Sequence, residues 1–170
     1  EKKENVTDNN KTQENDKQEK NSEEMQEKYS VNETSKGYEV VNSKNEVQFT
    51  TNEYQYLEVC TNNKTIRAMQ GNNYVYLDLK GNRITDKDYW GMDSTLGGGT
   101  EFINGNVIVE DIVTGNKGLL NENGKEVIEC KYKYMRYDED EKLYLVDSNA
   151  FPKDESAYYI NAKDEKVKDW

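Results

Sequence analysis

The hydrophobic and polar positions along the chain change rhythm at Gly37. Beyond it, short apolar or aromatic runs recur between breaks rich in Asn and Gly: YEVV (38–41), YQYLEVC (54–60), KTIRAM (64–69), YVYLDL (74–79), NVIVEDIV (106–113), GLLN (118–121), EVIECKY (126–132) and KLYLV (142–146). Tyr, Val and Ile dominate, and several runs alternate apolar with polar side chains, the period of a half-buried strand. No stretch of helical length carries a 3.6-residue period, so the pattern predicts an all-β fold. Asn62-Asn63, Asn104-Gly105 and Asn123-Gly124 separate successive runs. Such pairs supply positive φ angles and predict antiparallel hairpins closed by type I′ turns.

A longer period lies over these runs. GYEVVNSKNEVQF (37–49), NYVYLDLKGNRIT (73–85), KGLLNENGKEVIE (117–129) and AYYINAKDEKVKD (157–169) align on Asn42, Asp78, Asn121 and Asn161, roughly 40 residues apart. Three copies share a turn residue three positions after the anchor (Gly81, Gly124, Asp164) and a branched residue six after it (Ile84, Val127, Val167). The first copy has Asn45 and then Val47 one position early, which reads as drift or a lost residue. A Tyr-containing segment and a second apolar strand follow each of the first three hairpins. Units this small bury no core singly, so about four must stack, as an open antiparallel meander array or a propeller-like closure.

Residues 117–146 resemble a repeat of the WG (or KWG) family. Gly118 stands at the motif's glycine, with Lys117 at its Trp; Asn121, Gly124, Lys125, Val127, Ile128 and Tyr132 follow in order, with Glu129 at the usual Pro. Tyr76, Leu77, Asp78, Gly81, Ile84 and Tyr89 fit a second copy, and the flanking units match weakly. Trp90-Gly91 is out of register with the motif. The resemblance implies β-hairpin repeats of bacterial, frequently exported proteins that mediate binding, and it brings no catalytic residues.

Composition changes the domain count. Residues 1–36 carry seven Lys, ten Asp or Glu and almost nothing to bury, so they are expected to be a disordered tether ahead of a repeat domain over 37–170. Such a leader resembles the spacer after the lipidated cysteine of a Gram-positive surface lipoprotein, which predicts an extracellular, cell-surface location. The net charge of −11 disfavours nucleic acid and anionic membrane surfaces as partners, leaving a lipid anchor as the only expected membrane link. The absence of histidine removes Ser-His-Asp and Cys-His machinery, and two cysteines cannot complete a tetrahedral zinc site. No cofactor, metal-ligating or catalytic residue is assigned.

The expected function is therefore non-enzymatic binding of a protein or polysaccharide, with strands as scaffold and loops such as 93–101 as contact elements. Gly97-Gly98-Gly99 precedes a strand and lacks the helix of a phosphate cradle. Asp138–Glu141 lacks the glycine of a calcium loop and reads as a solvated hairpin tip. The candidate contact residues are Tyr54 with Tyr56, Tyr74 with Tyr76, Tyr132 with Tyr134, and Trp90: pairs at i and i+2 share a strand face, and their rings serve either to cover the core or to bind. Glycan recognition by these faces is one alternative; a cell-wall glycoside hydrolase using two carboxylates is another. Cys60 and Cys130 are expected as free buried thiols, a disulfide between them being the alternative.

Overall fold

The computed structural model describes residues 27–91 and 99–170, all β with turns. Sheet I joins β1 (Tyr29–Thr34), β2 (Gly37–Asn42) and β3 (Val47–Thr51). Sheet II joins β4 (Tyr56–Val59), β5 (Thr65–Gln70), β6 (Asn73–Asp78) and the short β7 (Tyr89–Trp90). Sheet III joins β8 (Asn106–Glu110), β9 (Lys117–Asn121) and β10 (Glu126–Tyr132). Sheet IV joins β11 (Tyr134–Asp138), β12 (Leu143–Asp147), β13 (Tyr158–Ile160) and β14 (Lys166–Asp169). Each is an antiparallel meander in chain order, and none closes into a barrel, so the expected all-β repeat array is what forms.

The body starts earlier than expected. β1 pairs with β2 from Tyr29↔Asn42 to Thr34↔Gly37, so Tyr29–Thr34, assigned to the tether from its charge, is an outer strand of sheet I. The period that the flanking Lys and Glu conceal is Tyr29, Val31, Glu33, one face of that strand. The remainder of the expected tether, 1–26, lies outside the described residues. NVIVEDIV also ends sooner: β8 stops at Glu110 because Asp111 accepts the N–H groups of Val113 and Thr114 and turns the chain.

The four aligned segments close by one local rule. In each, the anchor C=O accepts the N–H three residues on, at 2.9 Å for Asn42, 3.1 Å for Asp78, 3.0 Å for Asn121 and 3.1 Å for Asn161. The anchor's side-chain Oδ1 accepts the N–H groups two and four residues on in all four. The third residue takes a positive φ: Asn45 62°, Gly81 83°, Gly124 77° and Asp164 66°. This is a three-residue loop, so Asn123-Gly124 is not the expected type I′ pair. Asn62-Asn63 is not one either, since Asn63 alone has positive φ within a longer loop from Cys60 to Thr65. Asn104 at 50° and Gly105 at 77° do form the I′ turn, with both Ile103–Asn106 hydrogen bonds made.

The first copy has lost nothing. The residue before the anchor pairs with the fifth after it in Val41↔Val47, Leu77↔Arg83, Leu120↔Glu126 and Ile160↔Lys166. The next pairs, Val40↔Phe49, Leu119↔Ile128 and Tyr159↔Lys168, skip one residue. The sixth position is thus a bulge, where the extra residue has no cross-strand partner. Gln48 occupies it as well as Val127 or Val167 does, because all three are exposed there, whereas Ile84 of the second copy packs into the junction of sheets II and III.

Alternation then builds the array, since successive residues of a strand face opposite ways. On β6, Val75 and Leu77 pack against sheet I with Val40, Leu57 and Ile66, while Tyr74 and Tyr76 pack against sheet III with Val107, Val109 and Leu120. On β9, Leu120 faces sheet II and Leu119 joins Ile128, Met135, Tyr144 and Ile160 of sheets III and IV. The turns interlock as well. A Cβ at Gly81 would crowd the Phe49 ring of sheet I, and one at Gly124 would overlap the Ile84 carbonyl of sheet II. In the last copy Asp164 takes this place and accepts from Tyr132 Oη at 2.6 Å and from Lys131 Nζ. Sheet IV covers its own outer face: Leu145, Ala157 and Tyr159 are buried, with Lys168 Nζ 4.9 Å from the Tyr159 ring centre.

Candidate functional site

The candidate aromatic residues separate by the face they occupy. Tyr74 and Tyr76 share a strand face, as expected, but that face is the junction of sheets II and III, so neither is a contact residue. Both are buried, 5.4 Å apart edge to face, and Tyr76 Oη donates to Gly99 O at 2.5 Å. Burial pushes both phenols well above their ordinary range. Tyr132 and Tyr134 do not form a pair. The chain turns at Lys133, and Tyr132 is buried between sheets III and IV, whereas Tyr134 packs on the outer face of sheet IV. Trp90 and Tyr54 are half-buried. Of the seven, only Tyr56 is exposed, at 47%.

Cys60 and Cys130 are free thiols, the first buried and the second half-buried. Both pack into the junction of sheets II and III, and burial pushes each up to about 12. Asp138–Glu141 forms the β11–β12 hairpin tip: Asp138 Oδ1 accepts the N–H groups of Asp140 and Glu141, and its Oδ2 accepts Tyr159 Oη at 3.0 Å. No cluster of three or more metal-ligating side chains occurs among the described residues. Most of the expected contact loop 93–101, including Gly97 and Gly98, lies outside them.

Asp111 and Glu126 converge on one lysine. Lys87 Nζ lies 2.7 Å from Glu126 and 3.4 Å from Asp111, bridging sheets II and III. Each acid is otherwise engaged, Glu126 by Tyr89 Oη at 3.1 Å and Asp111 by its own turn. The arrangement is an inter-sheet latch with a lysine already between the two charges.

Tyr56 borders a groove of about 370 Å³ at the seam between β1 and β4, the outer strands of sheets I and II. Val31, Leu57, Val59, Tyr29 and Tyr38, all of the apolar junction between sheets I and II, line it together with Tyr56, Glu33 and Glu58; Tyr56 and Glu58 alternate with Leu57 and Val59 and so face the other side of β4. Two phenols are fixed in place: Tyr38 Oη donates to Gln55 O at 2.7 Å, and Tyr29 Oη to Glu27 at 3.1 Å. Tyr29 N donates to Asn63 Oδ1 at 3.0 Å, tying β1 to the β4–β5 loop. A second hollow of about 380 Å³ shares Tyr29 and Val59, extends the groove towards Thr61 and Asn63 and has Lys28 in its lining. Glu58 pairs with Arg67 at 2.9 Å, and Glu33 forms no ion pair among the described residues. Tyr29 and Tyr38 were absent from the sequence-derived candidates. The spacing Tyr29, Val31, Glu33 was a signal for the first, but the second becomes a wall only once β2 stands beside β1.

No protein-family profile, curated protein or solved structure matches the chain.

Proposed function

We propose that this chain is a non-enzymatic binding module of a bacterial cell-surface lipoprotein, with WG-like repeats as scaffold and the β1–β4 groove as its ligand site. The supporting observation is the groove itself: a lining of apolar side chains and three tyrosines, with the unneutralised acid Glu33, at the seam of two stacked sheets. Ligand sites combine apolar surface with a few placed polar groups in this way. The glycan alternative needs exposed ring planes, and among the candidate tyrosines only Tyr56 offers one.

The test is an amide chemical-shift titration of the whole chain with chitotetraose and with short peptides of both charges. A ligand is expected to move the resonances of Tyr29, Glu33, Tyr56 and Val59 and to leave Phe151 in place. Tyr56→Ala should weaken binding roughly tenfold, the size of a modest aromatic hot spot. Shifts confined to other surfaces, or unchanged affinity in Tyr56→Ala, would remove the groove as the site.

A further inference from the structure

Asn-Gly occurs twice in the chain, at Asn104-Gly105 and Asn123-Gly124, and both asparagines are exposed. The glycines differ. Gly105 stands open at the tip of the turn before β8. Its N–H has no hydrogen-bond partner among the described residues, and a Cβ built on it would meet only the Glu122 side chain, at 4.0 Å. Gly124 is clamped. Its N–H donates to Asn121 O at 3.0 Å, and a Cβ there would overlap the Ile84 carbonyl. Asn121 Oδ1 also holds the N–H groups of Asn123 and Lys125, on either side of it.

From this contrast we infer that Asn104 is a site of spontaneous, backbone-assisted deamidation, and that the fold withholds Asn123 from the same reaction. Hydroxide from solvent removes the Gly105 N–H proton, and the nitrogen attacks Asn104 Cγ. The N–Cγ bond forms, the Cγ–Nδ2 bond breaks and ammonia leaves, closing a cyclic imide. One water then opens the imide at either carbonyl, giving aspartate or isoaspartate. Glycine suits this step because no Cβ obstructs the approach. Ring closure needs a rotation about Asn104 Cα–C that the two Ile103–Asn106 hydrogen bonds oppose, so the reaction proceeds from a locally opened tip. Opening it also releases two exposed bonds, Asn106 Nδ2 to Asn104 O and Asn104 Nδ2 to Tyr137 Oη, both 3.3 Å. Opening the other turn draws Gly124 out from under sheet II. The product at 104 gains a negative charge and loses the amide donor to Tyr137. As isoaspartate it also has an extra backbone methylene, which a two-residue hairpin turn does not accommodate.

Peptide mass mapping of the whole chain, held in mildly alkaline buffer with and without urea, tests this. In the folded protein Asn104 is expected to convert roughly tenfold faster than Asn123 or more, because each rate follows the population of its opened form. In urea the two rates should converge. Folded protein in which Asn123 converts as fast as Asn104, or in which Asn104 does not convert, would overturn the proposal. A difference that persists in urea would place the selectivity in the local sequence and not in the fold, and would overturn it too. Hydrogen exchange gives a second reading. The Asn106 amide, bonded to Ile103 O at 3.0 Å, should exchange faster in the isoaspartyl product than in Asn104→Asp, which keeps the ordinary backbone. Equal exchange in the two would refute the loss of the turn.

Discussion

Asp147 is the only fully buried carboxylate or cationic side chain among the described residues, and it shows how much one side chain can organise here. Its Oδ1 accepts the backbone and side-chain N–H groups of Asn149, both at 2.9 Å; its Oδ2 accepts Lys153 N at 2.9 Å and Ser156 Oγ at 2.8 Å. Burial alone would raise its pKa, but these donors outweigh it and lower the carboxyl from 3.8 to about 2. Because the folded value lies below the unfolded one, its contribution is complete above pH 4 and is lost as pH falls towards 2. Asp147→Asn places an amide N–H₂ against donors and should cost about 2 to 3 kcal/mol in urea unfolding at neutral pH. The gap from the unsubstituted protein should close on acidification to pH 2; a gap that persists would mean that packing, not charge, is responsible. Phe151, at the tip of the same loop and 81% exposed, should tolerate Ala within about 0.5 kcal/mol. In the sequence, KLYLV (142–146) reads as a strand that ends just before Asp147. The reason for its burial lies in donors two to nine residues later, beyond any periodicity.

At the scale of the element, the repeated turn was legible and the bulge beside it was not. An Asn or Asp with a Gly, Asn or Asp three residues on specifies a loop whose chemistry is local: one side chain capping two N–H groups and one residue with positive φ. The branched residue at the sixth position read as part of the strand pattern, yet it is the unpaired bulge, and only the ladder register distinguishes the two. The third position also carries a tertiary demand that the sequence does not display. Gly124→Ala meets both the φ of 77° and the Ile84 carbonyl, whereas Asn45, at 62°, has no earlier sheet among the described residues against its turn. Differential scanning calorimetry should show Gly124→Ala destabilised by more than about 2 kcal/mol and Asn45→Gly changed by less than about 1 kcal/mol. Equal effects would show that backbone conformation, not the contact between turns, decides the residue.

Across the molecule, stability passes from sheet to sheet through three apolar junctions, with each middle sheet buried on both faces. In such an array each unit depends chiefly on its neighbours. Tyr76→Ala empties the II/III junction and should cost about 3 to 5 kcal/mol. Hydrogen exchange should then accelerate first in β6, β8 and β9 and least in β12 and β13; uniform acceleration throughout would indicate a single cooperative block. The same stacking explains the fate of the aromatic candidates. A ring pair on one strand face looks alike whether the next layer is solvent or another sheet.

What the sequence determined by itself was local: strands from two-residue alternation, turns from Asn and Gly chemistry, and a repeat from the recurrence of both. These follow from covalent geometry and hydrogen bonding within a few residues of each position. Tertiary structure decided which face of each strand meets a neighbour. It thereby buried Tyr74, Tyr76 and Tyr132, drew Tyr29–Thr34 out of an apparently featureless charged leader, and opened the groove where two outer strands meet. Burial depends on what the rest of the chain brings alongside, and that partner stands about 40 residues away, one repeat along the array.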